Sequence, residues 1–409
     1  MTDVAQHARL SQLQHWPEII ILGLGLVFCC AFGLITPYLL AVVGIILFVK
    51  QLLQRELLDA YREPTALIFL GAWGLLLVCY AISAKRPADV VLAFNVVMLL
   101  LYAPMRQELT RWARPTNARL VANLASAGVV VALGVALFQI VVLGQPRADN
   151  ILFGAILLAN TAILLGFLAL IGVMTEGRNR WAYLAMPLVA TMIASMTGSR
   201  GPLVAVLPLI GIATVAIARK HRLGPVQAAV GGVLYAALCA GIVFLAPTRS
   251  GSILSAIGDV AAAAGVRDFT TQIRLDLYWA GYQAFLERPI FGHGWARLMS
   301  AAWPYLPADK APYLGLPQLH NDVINFAVAA GVVGVGIYFT ILAAPIIGVL
   351  RRSPRDGQFD VRLYGVLVLV VGYVFDGLTD LMLGFEFHTA FYATLVAILL
   401  GYCRDQASA

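Results

Sequence analysis

Residues 316–336 read "LPQLHNDVINFAVAAGVVGVG" and join a polar triplet to an apolar segment. From Val323 onward no charged residue appears until Arg351. A helix needs about 20 mostly apolar residues to cross the hydrocarbon core of a bilayer, and this segment exceeds that length. The pattern predicts a transmembrane helix near 322–349 with His320 at its mouth. His320 is then either part of a helix cap or a catalytic base.

The composition predicts an all-α polytopic membrane protein. Of 409 residues, 61% are hydrophobic and 12% are charged, and the mean hydropathy is +0.85. Soluble globular chains carry about 25% charged residues. We expect no separate signal peptide, because residues 1–16 are polar. The net charge of +7 is better explained by membrane topology than by nucleic-acid binding, and the five cysteines lack metal-site spacing.

Apolar runs between polar or Pro/Gly residues predict about twelve transmembrane helices. The first two are the least separated, since "GLITPYLL" leaves almost no loop, and a re-entrant pair is the alternative. The predicted spans lie near 17–33, 35–50, 65–83, 87–104, 119–143, 150–173, 181–197, 202–218, 225–246, 322–349, 361–376 and 386–402.

The distribution of Lys and Arg predicts that both termini are cytoplasmic. These residues concentrate in segments on the side of the N-terminus, as expected for cytoplasmic loops. The short outer loops hold only Lys85, Arg86, Arg147 and Arg200. The predicted organisation is therefore helices 1–9 in residues 1–246, a large periplasmic loop in 247–319, and helices 10–12 in 320–409. We expect that loop to be partly helical and functional, because long structureless loops are uncommon.

Within the large loop, residues 267–289 predict an amphipathic helix that ends before Pro289. Its polar residues gather into one stripe at helical spacing, whereas Arg274 projects among apolar side chains. The stripe consists of Gln272, Asp276, Gln283 and Glu287. An arginine on an apolar face is costly unless it meets an anion. Arg274 is therefore predicted to bind an anion, and the alternative is that it snorkels or pairs with a nearby carboxylate.

A second arginine, Arg200, lies in a tight predicted outer turn within "SMTGSRGPLVAVLP", residues 195–208. Glycine lets a backbone approach a ligand closely, and Pro202 is placed to open the next helix. Arginine supplies a planar fork that suits phosphate oxygens. Arg200 is predicted to bind phosphate, with contact to lipid headgroups as the alternative.

His320 is predicted to act as a general base. Asn321 or Asp322 can cap the following helix, which places His320 beside the positive end of the helix dipole. That dipole disfavours a charged imidazole, so His320 is expected to accept a proton near neutral pH. The alternative is a purely structural histidine. Asn321, Asp322 and Asp376 are the expected candidates for orienting the ring.

The remaining outer polar residues predict no divalent-metal site. His293 and His388 lack metal-ligand spacing with His320, and the outer loop has no Asp-x-Asp pair. Two arginines could instead stabilise a pyrophosphate leaving group. Asp376 and Asp380 could orient a base or an acceptor sugar, but a solvated helix end is the more favoured interpretation.

Three stretches together resemble the O-antigen ligase and polymerase superfamily of bacterial envelope glycosyltransferases. They are "TGSRGPLVAVL" (197–207), "IRLDLYWAGYQAFLERPIFGHGW" (273–295) and "HNDVINFAVAAGVVGVG" (320–336). The resemblance implies a GT-C-like membrane enzyme with its site at the periplasmic face of the inner membrane. Arg200 and Arg274 match the arginines that hold the donor pyrophosphate, and His320 matches the candidate base. The sequence departs from the pattern at His293, where an apolar residue is expected, so His293 is a possible further substrate contact.

By this resemblance the donor is a glycan on undecaprenyl pyrophosphate and the chemistry is inverting and metal-independent, with no cofactor. We favour an O-antigen ligase, whose acceptor is lipid A–core oligosaccharide, because the outer loop is modest and the chain is compact. An O-antigen polymerase is the second choice and an O-linked oligosaccharyltransferase the third. A lipid-linked glycan flippase or another transporter is disfavoured, since the predicted spans have few ionisable residues in their interiors.

Overall fold

The computed structural model describes residues 15–149, 154–245, 269–351 and 356–404. Every regular element in these residues is helical. The main helices are α1 (Trp16–Val27), α2 (Cys29–Leu53), α3 (Pro64–Ser83), α4 (Pro87–Arg111), α5 (Asn117–Val142), α6 (Ala155–Met174), α7 (Ala185–Met196), α8 (Pro202–His221), α9 (Pro225–Leu245), α10 (Phe269–Glu287), α11 (Asp322–Arg351), α12 (Phe359–Gly377) and α13 (Glu386–Ala397).

Eight of the helices in the described residues are long and apolar enough to cross a membrane: α2 to α6, α8, α9 and α11. The chain is therefore an all-helical, multi-pass membrane protein. The other four predicted spans correspond to α1, α7, α12 and α13, which are shorter or carry more charged residues. The count of twelve spans stays a prediction. The predicted break between the first two spans is present at Gly33, which has φ +51° and leaves helical geometry, and a second interruption of the helix occurs at Phe28.

Helix α6 forms the centre of the bundle. In its most apolar window, 89% of the residues are buried, against 6% for α9, which faces outward. Small residues let its neighbours approach closely, as in membrane helix packing. A Cβ atom on Gly166 would lie 2.7 Å from the Cβ of Ala190 in α7, and one on Gly372 in α12 would lie 2.3 Å from Leu164. Helices α7 and α12 are therefore both packed against α6.

Helix α11 is kinked at Ala330 and Gly331, where the backbone leaves helical geometry. Residues 289–294 fill the break. The backbone N–H of His293 donates to the Val328 carbonyl (2.8 Å), and that of Gly294 donates to Ala329 (2.9 Å). A Cβ on Gly331, which has φ +64°, would lie 2.2 Å from the Ile290 oxygen. An inserted backbone segment is thus the cause of the kink.

Helix α10 confirms that a helix forms within residues 267–289, but it is not clearly amphipathic, because Trp279, Tyr282 and Leu286 are exposed. Its buried residues include Leu277, Ala280 and Ala284. A Cβ on Gly281 would lie 2.4 Å from Ile324, so α10 packs directly on the first turns of α11. On the polar face, Asp276 accepts hydrogen bonds from Gln272 (2.7 Å) and from the Tyr313 hydroxyl (2.6 Å). This packing determines where Arg274 lies relative to His320.

The start of α11 is also hydrogen-bonded to the segment that follows α12. The fully buried carboxylate of Asp322 accepts hydrogen bonds from the backbone N–H groups of Met382 (2.8 Å) and Leu383 (3.1 Å). A Cβ on Gly377 would lie 2.7 Å from an Asp322 oxygen, so only glycine permits this close approach. Leu378, Thr379 and Asp380, hereafter the 378–380 turn, are thereby brought beside His320.

Candidate active site

His320 has an unusual backbone conformation. Its φ of +52° lies in the left-handed region, which costs roughly 1–2 kcal/mol for an L-residue. Local hydrogen bonds stabilise it: the His320 N–H donates to Gln318 Oε1 at 2.5 Å, and the Tyr278 hydroxyl lies 3.0 Å from the His320 carbonyl. Such strained residues are enriched at functional sites. The strain fixes the direction in which the ring leaves the backbone.

The imidazole of His320 faces the carboxylate of Asp380. His320 Nδ1 and Asp380 Oδ1 are 3.1 Å apart, and Gln318 Nε2 donates to the same oxygen at 3.0 Å. Gln318 Nε2 also lies 3.1 Å from His320 Nδ1, but it is a donor only, so Nδ1–H is assigned as donating to Asp380. This tautomer leaves a lone pair on Nε2, which has no hydrogen bond with any residue the structure describes.

Gln318 is held in this orientation by Asn325 of α11. Asn325 Nδ2 donates to Gln318 Oε1 (3.2 Å), while Asn325 Oδ1 accepts from the Leu319 N–H (2.9 Å). The Gln318 amide therefore uses its oxygen as an acceptor and its nitrogen as a donor to Asp380. The result is a fully directed chain from Asn325 to the ring of His320, and such networks rigidify a site.

Asp380 is ionised in these surroundings. Burial alone would raise the pKa of its carboxyl group, but the hydrogen bond and charge of His320 act against burial, and the net effect lowers the pKa below 3.8. Only 11% of the Asp380 side chain is exposed, against 22% for His320. A buried carboxylate beside an imidazole stabilises the imidazolium that forms when the ring takes up a proton.

The turn that carries Arg200 lies against the same segment. Gly198 has φ +66°, and the N–H of Ser199 donates to Thr197 Oγ1 (3.1 Å), which shapes a tight turn before Pro202 opens α8. A Cβ on Gly201 would lie 2.5 Å from Thr379 Oγ1. Because nothing larger than glycine fits there, the backbone beside Arg200 is in direct contact with the 378–380 turn.

Arg274 approaches from α10. It lies one helical turn before Tyr278, so the two side chains share a face of the helix. The Tyr278 hydroxyl lies 2.8 Å from the Leu378 carbonyl and 3.0 Å from that of His320, so its proton can reach either. Burial raises the pKa of Tyr278, and the positive charge of Arg274 opposes this rise. The guanidinium is thus within electrostatic reach of the His320 backbone.

The alternative interpretation, in which Arg274 pairs with a nearby carboxylate, finds no such pair among the described residues. Asp276 is engaged by Gln272 and Tyr313 on the other side of the helix. Arg274 forms no ion pair with a residue in the described ranges, which leave out 246–268. A half-buried guanidinium with no ion-pair partner among the described residues is an arrangement that suits a bound anion.

Asn321 and Asp322 have separate tasks. Asn321 Oδ1 accepts from the Ile324 N–H (3.1 Å), which is the predicted cap of α11, and its Nδ2 donates to the Leu378 carbonyl (3.1 Å). Asp322 does not cap the helix, because both its oxygens bind Met382 and Leu383. Neither orients the His320 ring; Gln318 and Asp380 do, which corrects the expectation.

The interpretation of Asp376 and Asp380 as a solvated helix end is wrong. Asp376 is 1% exposed and Asp380 is 8% exposed. Asp376 lies one turn below Asp380, and neither of its oxygens has a hydrogen-bond partner among the described residues. The end of α12 is buried under α11, so these carboxylates face the interior of the site and not solvent.

His293 lies at a different place. Its Nε2 is 2.7 Å from the Ala284 carbonyl, in the last turn of α10, and 3.7 Å from a Glu287 oxygen. Ala284 is ten residues beyond Arg274, or about 15 Å along the helix axis at 1.5 Å per residue. His293 therefore contacts the far end of α10, and the structure does not bring it to His320.

Three residues were missed as site components by the sequence interpretation: Gln318, Asn325 and Tyr278. The only available signal was their position in the quoted stretches 273–295 and 320–336, or, for Gln318, directly before the second of them. No cluster of three His, Cys, Asp or Glu side chains that could hold a metal ion occurs in residues 15–149, 154–245, 269–351 and 356–404. The 378–380 turn contacts the His320 ring, the turn that carries Arg200, and Tyr278, which follows Arg274 by one helical turn.

A comparison with known families supports the resemblance found in the sequence. Residues 184–339 match the O-antigen ligase family. Over this part of the chain, the match supports the predicted resemblance to the O-antigen ligase and polymerase superfamily, whose members are glycosyltransferase-like enzymes. It supports a function of the ligase or polymerase type. The matched segment contains Arg200, Arg274 and His320, and it ends before the 378–380 turn. No curated protein matches the chain.

Proposed function

We propose that this protein is an O-antigen ligase of the bacterial inner membrane, with its active site at the periplasmic face. The donor is a glycan on undecaprenyl pyrophosphate and the acceptor is lipid A–core oligosaccharide. The observation that carries the proposal is the 378–380 turn. His320 contacts Asp380, the Arg200 turn contacts Thr379, and Tyr278 beside Arg274 reaches Leu378. The contacts of this short segment with His320, Gly201 and Tyr278 support the proposal, because these are the residues that the resemblance assigns to catalysis or their neighbours.

The base in this mechanism is Nε2 of His320. It accepts the proton of an acceptor hydroxyl while the hydroxyl oxygen attacks the anomeric carbon of the donor sugar. Asp380 holds the Nδ1–H tautomer and stabilises the resulting imidazolium, as a carboxylate does in other histidine-dependent sites. A positioned general base contributes about 10²–10⁴-fold to the rate.

The leaving group is the lipid pyrophosphate. As the new glycosidic bond forms, the bond from the anomeric carbon to the phosphate oxygen breaks, and the electron pair stays on the pyrophosphate. Arg200 and Arg274 offer charged, planar donors to those oxygens, where negative charge accumulates in the transition state. Attack opposite the leaving group inverts the anomeric configuration. Chelator is accordingly expected to leave the transfer rate unchanged.

The ligase is favoured over the polymerase by the modest outer loop, and both would use the same residues. A strain lacking the gene distinguishes them on a lipopolysaccharide gel with parallel analysis of lipid-linked glycans. Core without O-antigen, together with long polymer on the carrier lipid, is expected for a ligase. Core bearing a single repeat unit, with no long polymer anywhere, would identify a polymerase. Normal lipopolysaccharide would reject both and favour protein glycosylation or transport.

A further inference from the structure

A cleft of about 630 Å³ separates α8 from α12, on the part of these helices remote from the 378–380 turn. Its walls are apolar, with Ile212 and Val215 on one side and Leu363 and Leu367 on the other. Gly211 also lines it, and a Cβ there would meet no atom within 4 Å. The cleft is therefore open space between two helices and not a packed seam.

The length of the cleft matches one leaflet of a membrane. On α8 it extends from Pro208 to Lys220. Twelve residues at 1.5 Å rise give about 18 Å. The hydrocarbon core of a bilayer is about 30 Å thick, so one leaflet contributes roughly 15 Å. The acyl chain of an ordinary phospholipid fits this span, whereas a polyprenyl chain of eleven isoprene units is far longer.

The polar end of the cleft is basic. Arg219 and Lys220 in the last turn of α8 line it and are exposed, and Asp360 lies on the opposite side. A further cation stands nearby: His221 contacts the Trp181 ring, and the guanidinium of Arg180 lies 5.3 Å from the centre of that ring. Among the described residues that line this end, two cations stand against one carboxylate, so it suits an anionic headgroup.

We propose that this cleft binds one anionic phospholipid, with its phosphate at Arg219 and Lys220 and an acyl chain between α8 and α12. Basic pockets between transmembrane helices at the cytoplasmic side bind such headgroups. The charge distribution of the sequence predicts that this end is cytoplasmic. The proposal rests on the fold alone and not on the proposed reaction.

Occupancy of the cleft would brace the helices that carry the site. Helix α8 begins immediately after Arg200, and α12 ends immediately before the 378–380 turn. The two meet at Gly201 and Thr379 and separate around the cleft. A lipid bound between their other ends would fix the distance between α8 and α12. Membrane composition could then change how Arg200 and the 378–380 turn are positioned.

Native mass spectrometry of the delipidated full chain tests the proposal, with phosphatidylglycerol and phosphatidylcholine of identical acyl chains as probes. We expect one phosphatidylglycerol to be retained about tenfold more tightly than phosphatidylcholine, since each cation near an anionic lipid contributes about tenfold or less. The double variant Arg219→Ala/Lys220→Ala should remove that preference. Gly211→Leu should weaken both lipids by filling the cleft.

Matched controls separate the site from general effects. Gly134→Leu places a leucine at another exposed helix glycine with open space around it, and Arg62→Ala/Arg351→Ala removes two exposed charges elsewhere. Both controls should retain wild-type lipid binding. Equal binding of the two phospholipids, or unchanged binding in the Arg219/Lys220 variant, would overturn the proposal. Displacement of phosphatidylglycerol by equimolar polyprenyl phosphate would overturn it too, and would assign the cleft to the carrier lipid.

Discussion

Helix α11 supports two histidines in different ways, His320 beside its first turn and His293 at its kink. The ring of His320 faces a carboxylate through Nδ1 and keeps Nε2 available. In contrast, Nε2 of His293 hydrogen-bonds to the Ala284 carbonyl in the last turn of α10, so this ring caps the helix. The two histidines thus differ in the hydrogen-bond partner of the ring, which is a carboxylate for His320 and a backbone carbonyl for His293. Position in a motif is a weaker guide to function than the identity of the ring's partner.

The largest effect should separate these two histidines. His320→Ala is expected to lower transfer by about 10³-fold, because a positioned general base contributes about 10²–10⁴-fold. The measurement is transfer from a lipid-linked glycan to lipid A–core by the purified variant. His293→Ala is the matched control and should stay within about threefold of wild type. Equal losses in both variants would mean that the comparison between the two regions is wrong.

Asp380→Asn should have the next largest effect, a loss of about 10²-fold. The ring would lose the partner that fixes its tautomer and stabilises the imidazolium. Asp376→Asn, one turn below, is the control and should stay close to wild-type activity. Equal losses in the two variants would contradict the proposed pair.

The same carboxylate predicts how stability depends on pH. The pKa of Asp380 is lowered in the folded chain, so its contribution is fully present above the ordinary value of 3.8 and is lost as pH falls through the lower folded value. The difference in unfolding temperature between wild type and Asp380→Asn should therefore be constant above about pH 5 and vanish in stronger acid. A difference that grows as the pH falls would reverse the assigned direction.

A smaller effect is expected at the contact that places Arg200. Gly201→Ala puts a methyl group 2.5 Å from Thr379 Oγ1, so the Arg200 turn must shift. We expect about a tenfold loss of activity, because small displacements of positioning groups cost rate. Thr379→Ala in the same chain should restore most of the activity by removing the clashing hydroxyl. Losses that simply add would mean that the two residues do not interact.

The smallest effect on activity, from His293→Ala, should come with a measurable loss of stability. Removing the ring leaves the Ala284 carbonyl and the buried loop without this partner, which costs about 1–3 kcal/mol. Thermal unfolding in detergent measures the change. Asn in place of His293 can still donate a hydrogen bond and should recover part of it. If His293→Ala instead left stability unchanged and abolished transfer, His293 would be interpreted as a substrate contact.

The sequence predicted the parts of the site that depend on local pattern. The helix expected within 267–289 is α10, and the anomalous position of Arg274 follows from helical spacing alone. The cap at Asn321 and the tight turn before Pro202 are likewise local features. Arg200, Arg274 and His320 remain predictions as catalytic residues, but the structure brings their surroundings to one turn.

The parts that failed depend on contacts between distant segments. Asp380 was interpreted as solvated because it ends a helix near a predicted membrane surface, and nothing in residues 376–380 indicates that α11 covers it. Gln318 and Asp380 are 62 residues apart, and the hydrogen bond between them has no counterpart in local spacing.

The position of the 378–380 turn so late in the chain has a consequence for biosynthesis. A ribosome that has reached residue 350 has already made Arg200, Arg274 and His320, yet the partner of the His320 ring does not exist. The site is therefore completed only when α12 has been inserted and the chain has turned back. On the proposed mechanism, a chain that stops before that point keeps Arg200, Arg274 and His320 but lacks the carboxylate that positions the His320 ring. Premature release or proteolysis near the C-terminus is then expected to leave membrane-embedded protein with strongly reduced transfer.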